Sequence, residues 1–228
     1  MNIHEHELQK REFQIERIAL FSDAVFAIAI TLLIIEIKVP ELEPNVHNTD
    51  KELLAKLLEL IPRFVGFIVS FLVIGLYWLV HHRMFNHVIN YNRKLLVTNL
   101  FFLLSIVMMP FSSGFYSDYY GSSLHLPILF YACNICFSGF MNYRLWKVIA
   151  NKAYHLSDGL NNKVIMQYNT LRALSIPAVF IAIYLLSYLS ISLSNFLVLL
   201  IPLVTRLINW YYQKKHPEAM KQYKNQYQ

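Results

Sequence analysis

The chain has 228 residues, of which 56% are hydrophobic and only 15% charged, whereas a soluble domain carries about 25% charged residues. With a mean hydropathy of +0.40, this balance excludes a disordered chain and argues against an ordinary soluble enzyme; it points to an integral membrane protein. The net charge of +6, which would suggest nucleic acid in a soluble protein, reads here as loop charge that orients helices in a lipid bilayer, with no nucleic-acid partner.

The chain opens on MNIHEHELQKREFQIER, polar and mixed in sign. No basic start followed by a short apolar core and a small-residue cleavage site is present, so no secretory signal is predicted. A spanning helix needs about 20 mostly apolar residues. The first predicted span is 17–38, interrupted by Asp23 and closed by Glu36. The loop that follows is acidic, with Glu41, Glu43, Asp50 and Glu52. Its end repeats Leu53, Leu54, Leu57, Leu58 and Ile61 at helical spacing, which predicts an outer extension of the second span. That span is 60–81, with Arg63 at its outer start. The third (94–117) and fourth (124–147) hold no acidic side chain, and Cys133 and Cys136 sit in the fourth. Two cysteines make no disulfide framework, and zinc would want further ligands; they read as packing residues on one helix face.

The uncharged stretch 173–205 would run roughly 50 Å as one helix, against a hydrocarbon core of about 30 Å. It is therefore read as parts of two spans, 165–189 and 194–213, turning at the serine-rich segment 187–195. Charge supports this count. Of the 20 Lys and Arg residues, 16 fall in the set of loops that holds both termini. The opposite set holds only Lys38, Lys51, Lys56 and Arg63. By the positive-inside rule both termini are cytoplasmic, which requires an even number of spans. The predicted fold is an all-α bundle of six transmembrane helices forming a single domain over 1–228, multi-pass in the cell membrane.

Asp23 is the informative residue. An ionisable group inside a span costs about 2.5–3.5 kcal/mol near a helix centre, so it needs protein or water partners. The cytoplasmic end of the second span, running Tyr77-Trp78-Leu79-Val80-His81-His82-Arg83, supplies them: one indole donor and imidazoles that can donate to a carboxylate. The first reading is a buried polar clasp that fixes the packing of two antiparallel helices; the second is a role in proton sensing or gating. A haem or metal site is disfavoured, because His81 and His82 are sequential and point in different directions. Further along the first span, Ile28, Leu32 and Ile35 fall on one helical face with Thr31 at its edge; periodicity alone leaves that stripe as packing or lipid contact.

The run Arg17-x-x-x-Phe21-Ser22-Asp23-Ala-Val-Phe-Ala-Ile28-Ala-Ile-Thr31-Leu32 resembles the signature of the endosomal/lysosomal potassium channel family called transmembrane protein 175, in its bacterial branch. The segment Trp78-x-x-His81-His82-Arg83-x-Phe85 resembles a second hallmark of that family. The resemblance implies a homotetrameric, modestly potassium-selective leak channel with no cofactor and no enzyme activity. The first helix of each subunit would line the pore. Ile28 would form the constriction, Leu32 and Ile35 further apolar rings, and Thr31 a polar layer. Arg17, Phe21, Ser22 and Asp23 would be structural, tied to Trp78 and to His81 or His82. The competing reading is a secondary transporter, for which helices broken at the midplane would be expected; Pro110, Pro127, Pro177 and Pro202 interrupt the later spans.

Overall fold

The protein is described here from a computed structural model, over residues 3–42, 49–157, 162–190 and 196–225. Helix α1 (Ile3–Ile35) is the longest element, 33 residues without Gly or Pro. At 1.5 Å per residue it is roughly 50 Å long. It therefore outruns a hydrocarbon core of about 30 Å, and its charged first half, through Arg17, projects beyond the apolar part. It ends at Ile35, so Glu36, Ile37 and Lys38 leave the helix ahead of Pro40.

The amphipathic end of the following loop is a helix in its own right, α2 (Asp50–Glu59), rather than an extension of the second span. Thr49 and Glu52 close a reciprocal capping box at its start. The chain breaks at Leu60 because Pro62, in the first turn of α3 (Ile61–Phe85), brings no N–H. Helices α4 (Arg93–Val107) and α5 (Met109–Asp118) share one stretch of chain, divided at Met108 by Pro110. Next come α6 (Leu126–Ile149) and α7 (Lys163–Ser187). A short 3-10 turn (Leu197–Leu199) leads into α8 (Leu200–Lys215), and α9 (Pro217–Asn225) follows.

Among the described residues four helical stretches are long and apolar enough to cross a membrane: Glu5–Ile35, Ile61–Phe85, Arg93–Asp118 and Lys163–Ser187. The 24-residue α6 is as long, but buried Asn134 and Asn142 and the two tyrosines Tyr131 and Tyr143 dilute its hydropathy. Helix α7 ends at Ser187, where the predicted turn over 187–195 begins; residues 191–195 of that turn lie outside the described residues.

The core lies between α1, α3, α4 and α6, around Phe26, Tyr77, Phe102 and Trp146. Buried hydroxyls tie the layers together: Ser70 on α3 shares hydrogen bonds with Ser113 on α5 (2.6 Å) and Tyr131 on α6 (2.7 Å). The closest helix pair is α6 with α7. A Cβ on Gly139 would overlap the Pro177 ring and sit 3.0 Å from the Ala173 carbonyl, the carbonyl that Pro177 leaves without its helical partner. Cys133 is exposed and Cys136 half-buried, both as free thiols.

The two ends of the bundle differ. At one end Arg63 and Asp118 form an ion pair at 3.0 Å, and the Glu36 carboxylate lies against Gly114. At the other, the 86–90 and 155–157 segments pair through Ile89 N–H to the Leu156 carbonyl (2.8 Å) and a bridge between Val88 and Ser157. There α9 folds back under α7. Tyr223 donates to Asn169 (3.1 Å) and stacks on His87 at 6.0 Å.

Candidate ion pathway and its supporting clasp

Helix α1 presents two faces. At 100° per residue, Ser22, Phe26, Ala29 and Leu33 fall on one side, and all four are buried. Arg17, Phe21, Ala24, Ile28, Thr31, Leu32 and Ile35 fall on the other, and all are exposed in the single chain. Ile28 is 58% exposed and Ile35 69%. Thr31 donates its hydroxyl proton to the Ile28 carbonyl at 2.9 Å. That fixes the side chain and leaves the oxygen lone pairs directed away from the helix as acceptors.

The buried face meets α3 and α4 through two polar contacts. The Trp78 indole N–H donates to Asp23 Oδ1 at 2.8 Å, so the intramembrane carboxylate has a partner from α3. Next to it runs a chain of one-way donors. His81 Nε2 lies 2.9 Å from Asn99 Oδ1, which only accepts, so the imidazole donates there. Asn99 Nδ2 donates to Ser22 Oγ at 3.0 Å, and Ser22 donates to the Ile18 carbonyl at 2.8 Å. The chain of donors crosses α3, α4 and α1. The His81 ring is 1% exposed. It stacks on Phe85 (4.4 Å) and Phe102 (5.7 Å), with Phe26 at 5.6 Å.

The membership of this clasp differs from the sequence-based expectation. His81 reaches Ser22 through Asn99 and does not touch Asp23. His82 is exposed, its ring 5.9 Å from Trp78, because one residue turns a helix by 100° and carries it away from His81. Arg17 and Phe21 take no part. They sit on the exposed face, where the Arg17 guanidinium lies 6.0 Å from the Phe13 ring one turn back; positions 17 and 21 share their face with 28, not with 22. Asn99 is the residue that sequence reasoning missed. Its signal was available, since it is the one amide in the uncharged 95–107 run, whose other polar residues are the hydroxyls Thr98 and Ser105, and an unpartnered polar group there is costly. Among the described residues, no group of three or more His, Cys, Asp or Glu side chains could hold a metal ion.

Comparison with known proteins agrees with this geometry. The profile of the endosomal/lysosomal potassium channel TMEM175 family matches residues 17–110, the stretch that contains α1 from Arg17 onward, α3, α4 and the whole clasp. A protein of Chamaesiphon minutus named a potassium channel is 31% identical over 187 residues, spanning 78% of this chain and 86% of its own. A Streptomyces collinus protein of the same name is 39% identical over 103 residues, but that match spans only 48% of its length. The crystal structure of a lysosomal potassium-selective channel TMEM175 homologue from Chamaesiphon minutus superposes with a TM-score of 0.69 at 28% identity, covering 86% of this chain and 98% of that one.

The fold and the clasp thus define an all-helical, multi-pass membrane protein. The chain belongs to the TMEM175 family, a family of ion channels and not of enzymes.

Proposed function

We propose that the protein is a modestly potassium-selective leak channel of the cell membrane, a homotetramer of six-span subunits with α1 of each lining a central pore. The observation that carries the reading is the exposed stripe of α1. A face built from Ile28, Leu32 and Ile35 lies opposite the side that the polar clasp holds against α3 and α4, and it stays exposed in the single chain. The relatives in Chamaesiphon and Streptomyces are named potassium channels.

Four Ile28 side chains around an axis form an apolar constriction, which gates by excluding water. A larger, more weakly hydrated cation gives up water at lower cost, so potassium passes more readily than sodium. Selectivity stays modest, because no TVGYG-type carbonyl ring replaces the hydration shell. Thr31 offers a partial substitute: its proton is already committed to the Ile28 carbonyl, and its oxygen faces the same side as Ile28. Leu32 and Ile35 continue the apolar wall. At the outer mouth Glu36, Glu41, Asp50 and Glu52 raise the local cation concentration; Glu43 lies outside the described residues. Ser22, Asp23, Trp78, His81 and Asn99 hold α1 in place and do not touch the ion. The positive-inside count assigns both termini to the cytoplasm.

The test is potassium and sodium flux into liposomes carrying the purified protein, with its oligomeric mass measured in parallel. Potassium flux exceeding sodium flux from a tetramer supports the reading. A protein of tetrameric mass that passes neither ion overturns it.

A further inference from the structure

The outer surface of the subunit, away from α1, carries a second site. An open groove of about 650 Å³ lies between the C-terminal end of α6, the 3-10 turn at Lys152–Tyr154 and the first half of α7. Its polarity is graded along one face of α7. Asn162 and Lys163 line one end, Met166, Gln167 and Thr170 the middle, and Leu171 and Leu174 the other end, with Tyr212 of α8 also lining the groove. Lys152, from the 3-10 turn, lines the same groove as Lys163. From Lys163 to Leu174 the helix rises roughly 16 Å, about the depth of a phospholipid headgroup and the upper part of its chains. The polar end lies on the side that the charge count makes cytoplasmic, where anionic lipids attract basic residues. Lys152 and Lys163 are the charged side chains lining the groove among the described residues, and both are cationic.

From this gradient and charge we infer that the groove binds an anionic phospholipid of the cytoplasmic leaflet. The phosphate sits between Lys152 and Lys163, and the acyl chains run along Leu171 and Leu174. Because the groove joins the end of α6 to the start of α7, its lipid braces the helix pair that packs most closely. The inference rests on the membrane-spanning, inward-terminus orientation of the proposed function, but not on its pore assignment, so a failed flux test and a failed lipid test are distinguishable.

The experiment uses the full chain purified free of lipid in a nonionic detergent. Its thermal unfolding midpoint is followed during titration with phosphatidylglycerol, with phosphatidylcholine of the same chains, and with inorganic phosphate. Phosphatidylglycerol is expected to raise the midpoint, and the other two are not. Replacing both lysines (Lys152→Gln with Lys163→Gln) raises the half-saturating phosphatidylglycerol concentration roughly 30-fold, the product of two losses of about fivefold near an anionic headgroup. If the double variant does not purify, each single variant carries the test at about fivefold. Lys214→Gln with Lys215→Gln, at another cytoplasmic cluster, leaves the response intact. Leu174→Trp, which fills the apolar end, weakens it. The proposal is overturned by equal stabilisation with phosphatidylcholine, by an equal effect of inorganic phosphate, or by an unchanged response in the Lys152 and Lys163 variants. It is also overturned if the Lys214 and Lys215 pair matters as much, which would mean diffuse attraction in place of a site.

Discussion

The two faces of α1 are made of similar residues and do opposite things. One face holds Phe26, Ala29 and Leu33 and is sealed against α3 and α4; the other holds Ile28, Leu32 and Ile35 and has no cover within the chain. Hydrophobicity does not separate them. Polarity does, because the buried face alone carries Ser22 with a partner on another helix, and Asp23 beside it reaches Trp78. In a bilayer an apolar side chain is at home against lipid or protein alike. The polar contacts therefore decide which side of the helix turns inward, and by elimination which side is free for a pore.

If the faces are separable, substitutions on the free face change ion passage and leave the subunit folded. Ile28→Asn is the largest expected effect: potassium flux in liposomes rises about tenfold, as for a barrier lowered by about 1.4 kcal/mol, and the preference over sodium falls. The variant's unfolding midpoint stays near that of the parent. Unchanged permeability to both ions would remove Ile28 from the pore and leave the comparison with one face only.

Substitutions on the clasped face should do the reverse. Asn99→Leu leaves the buried His81 N–H without an acceptor and costs about 1–3 kcal/mol, read as a lower unfolding midpoint and tetramer yield. Whatever protein survives keeps the parent's ion preference. Replacing both partners with apolar groups of similar shape is far milder than orphaning one. Asn99→Leu with His81→Phe therefore recovers most of the loss, since position 81 is already packed among Phe26, Phe85 and Phe102. No recovery would mean that the imidazole does more than hold helices together.

Trp78→Phe is the milder version of the same test. The indole is 37% exposed and Asp23 only half-buried, so losing their hydrogen bond costs about 1 kcal/mol. A changed potassium preference in a stable Trp78→Phe tetramer would show that the clasp tunes the pore and would blur the distinction between the faces.

What the sequence made legible follows the same division. The positions of Asp23 and Trp78 were visible because a charge inside a span demands a partner and few were on offer. The stripe at 28, 32 and 35 was visible as a period, but the same period fits lipid contact, so only the burial of its opposite face gives it meaning. Asn99 was overlooked because an amide carries no charge to flag it, although its cost in an apolar setting is of the same kind. The breaks at Leu60 and Met108 follow from Pro62 and Pro110, whose missing N–H groups end a helix that hydropathy alone runs together. The fold-back of α9 had no sequence signal, because Tyr223 and Met220 are buried by distant elements.

The smallest expected effect lies at that fold-back and serves as a control for both faces. His87 lies beyond the end of α3, packed between Tyr223 and Trp146, and burial lowers its pKa below the ordinary 6.5. The unfolded chain then takes up the proton more readily than the folded one. The stability that the neutral ring contributes is complete above about pH 6.5 and is lost as the pH falls through the folded value. His87→Phe keeps the stacking on Tyr223 and removes the titration. The unfolding midpoint of the parent should thus fall further than that of His87→Phe between pH 7.5 and 5.5, by less than either clasp substitution costs. Because α9 packs on α7 and α8 and takes no part in the clasp, ion preference should not move with it. Equal pH profiles for the two proteins would show that the docking of α9 does not depend on a neutral His87, and a shift in ion preference would show that the fold-back is coupled to the free face of α1.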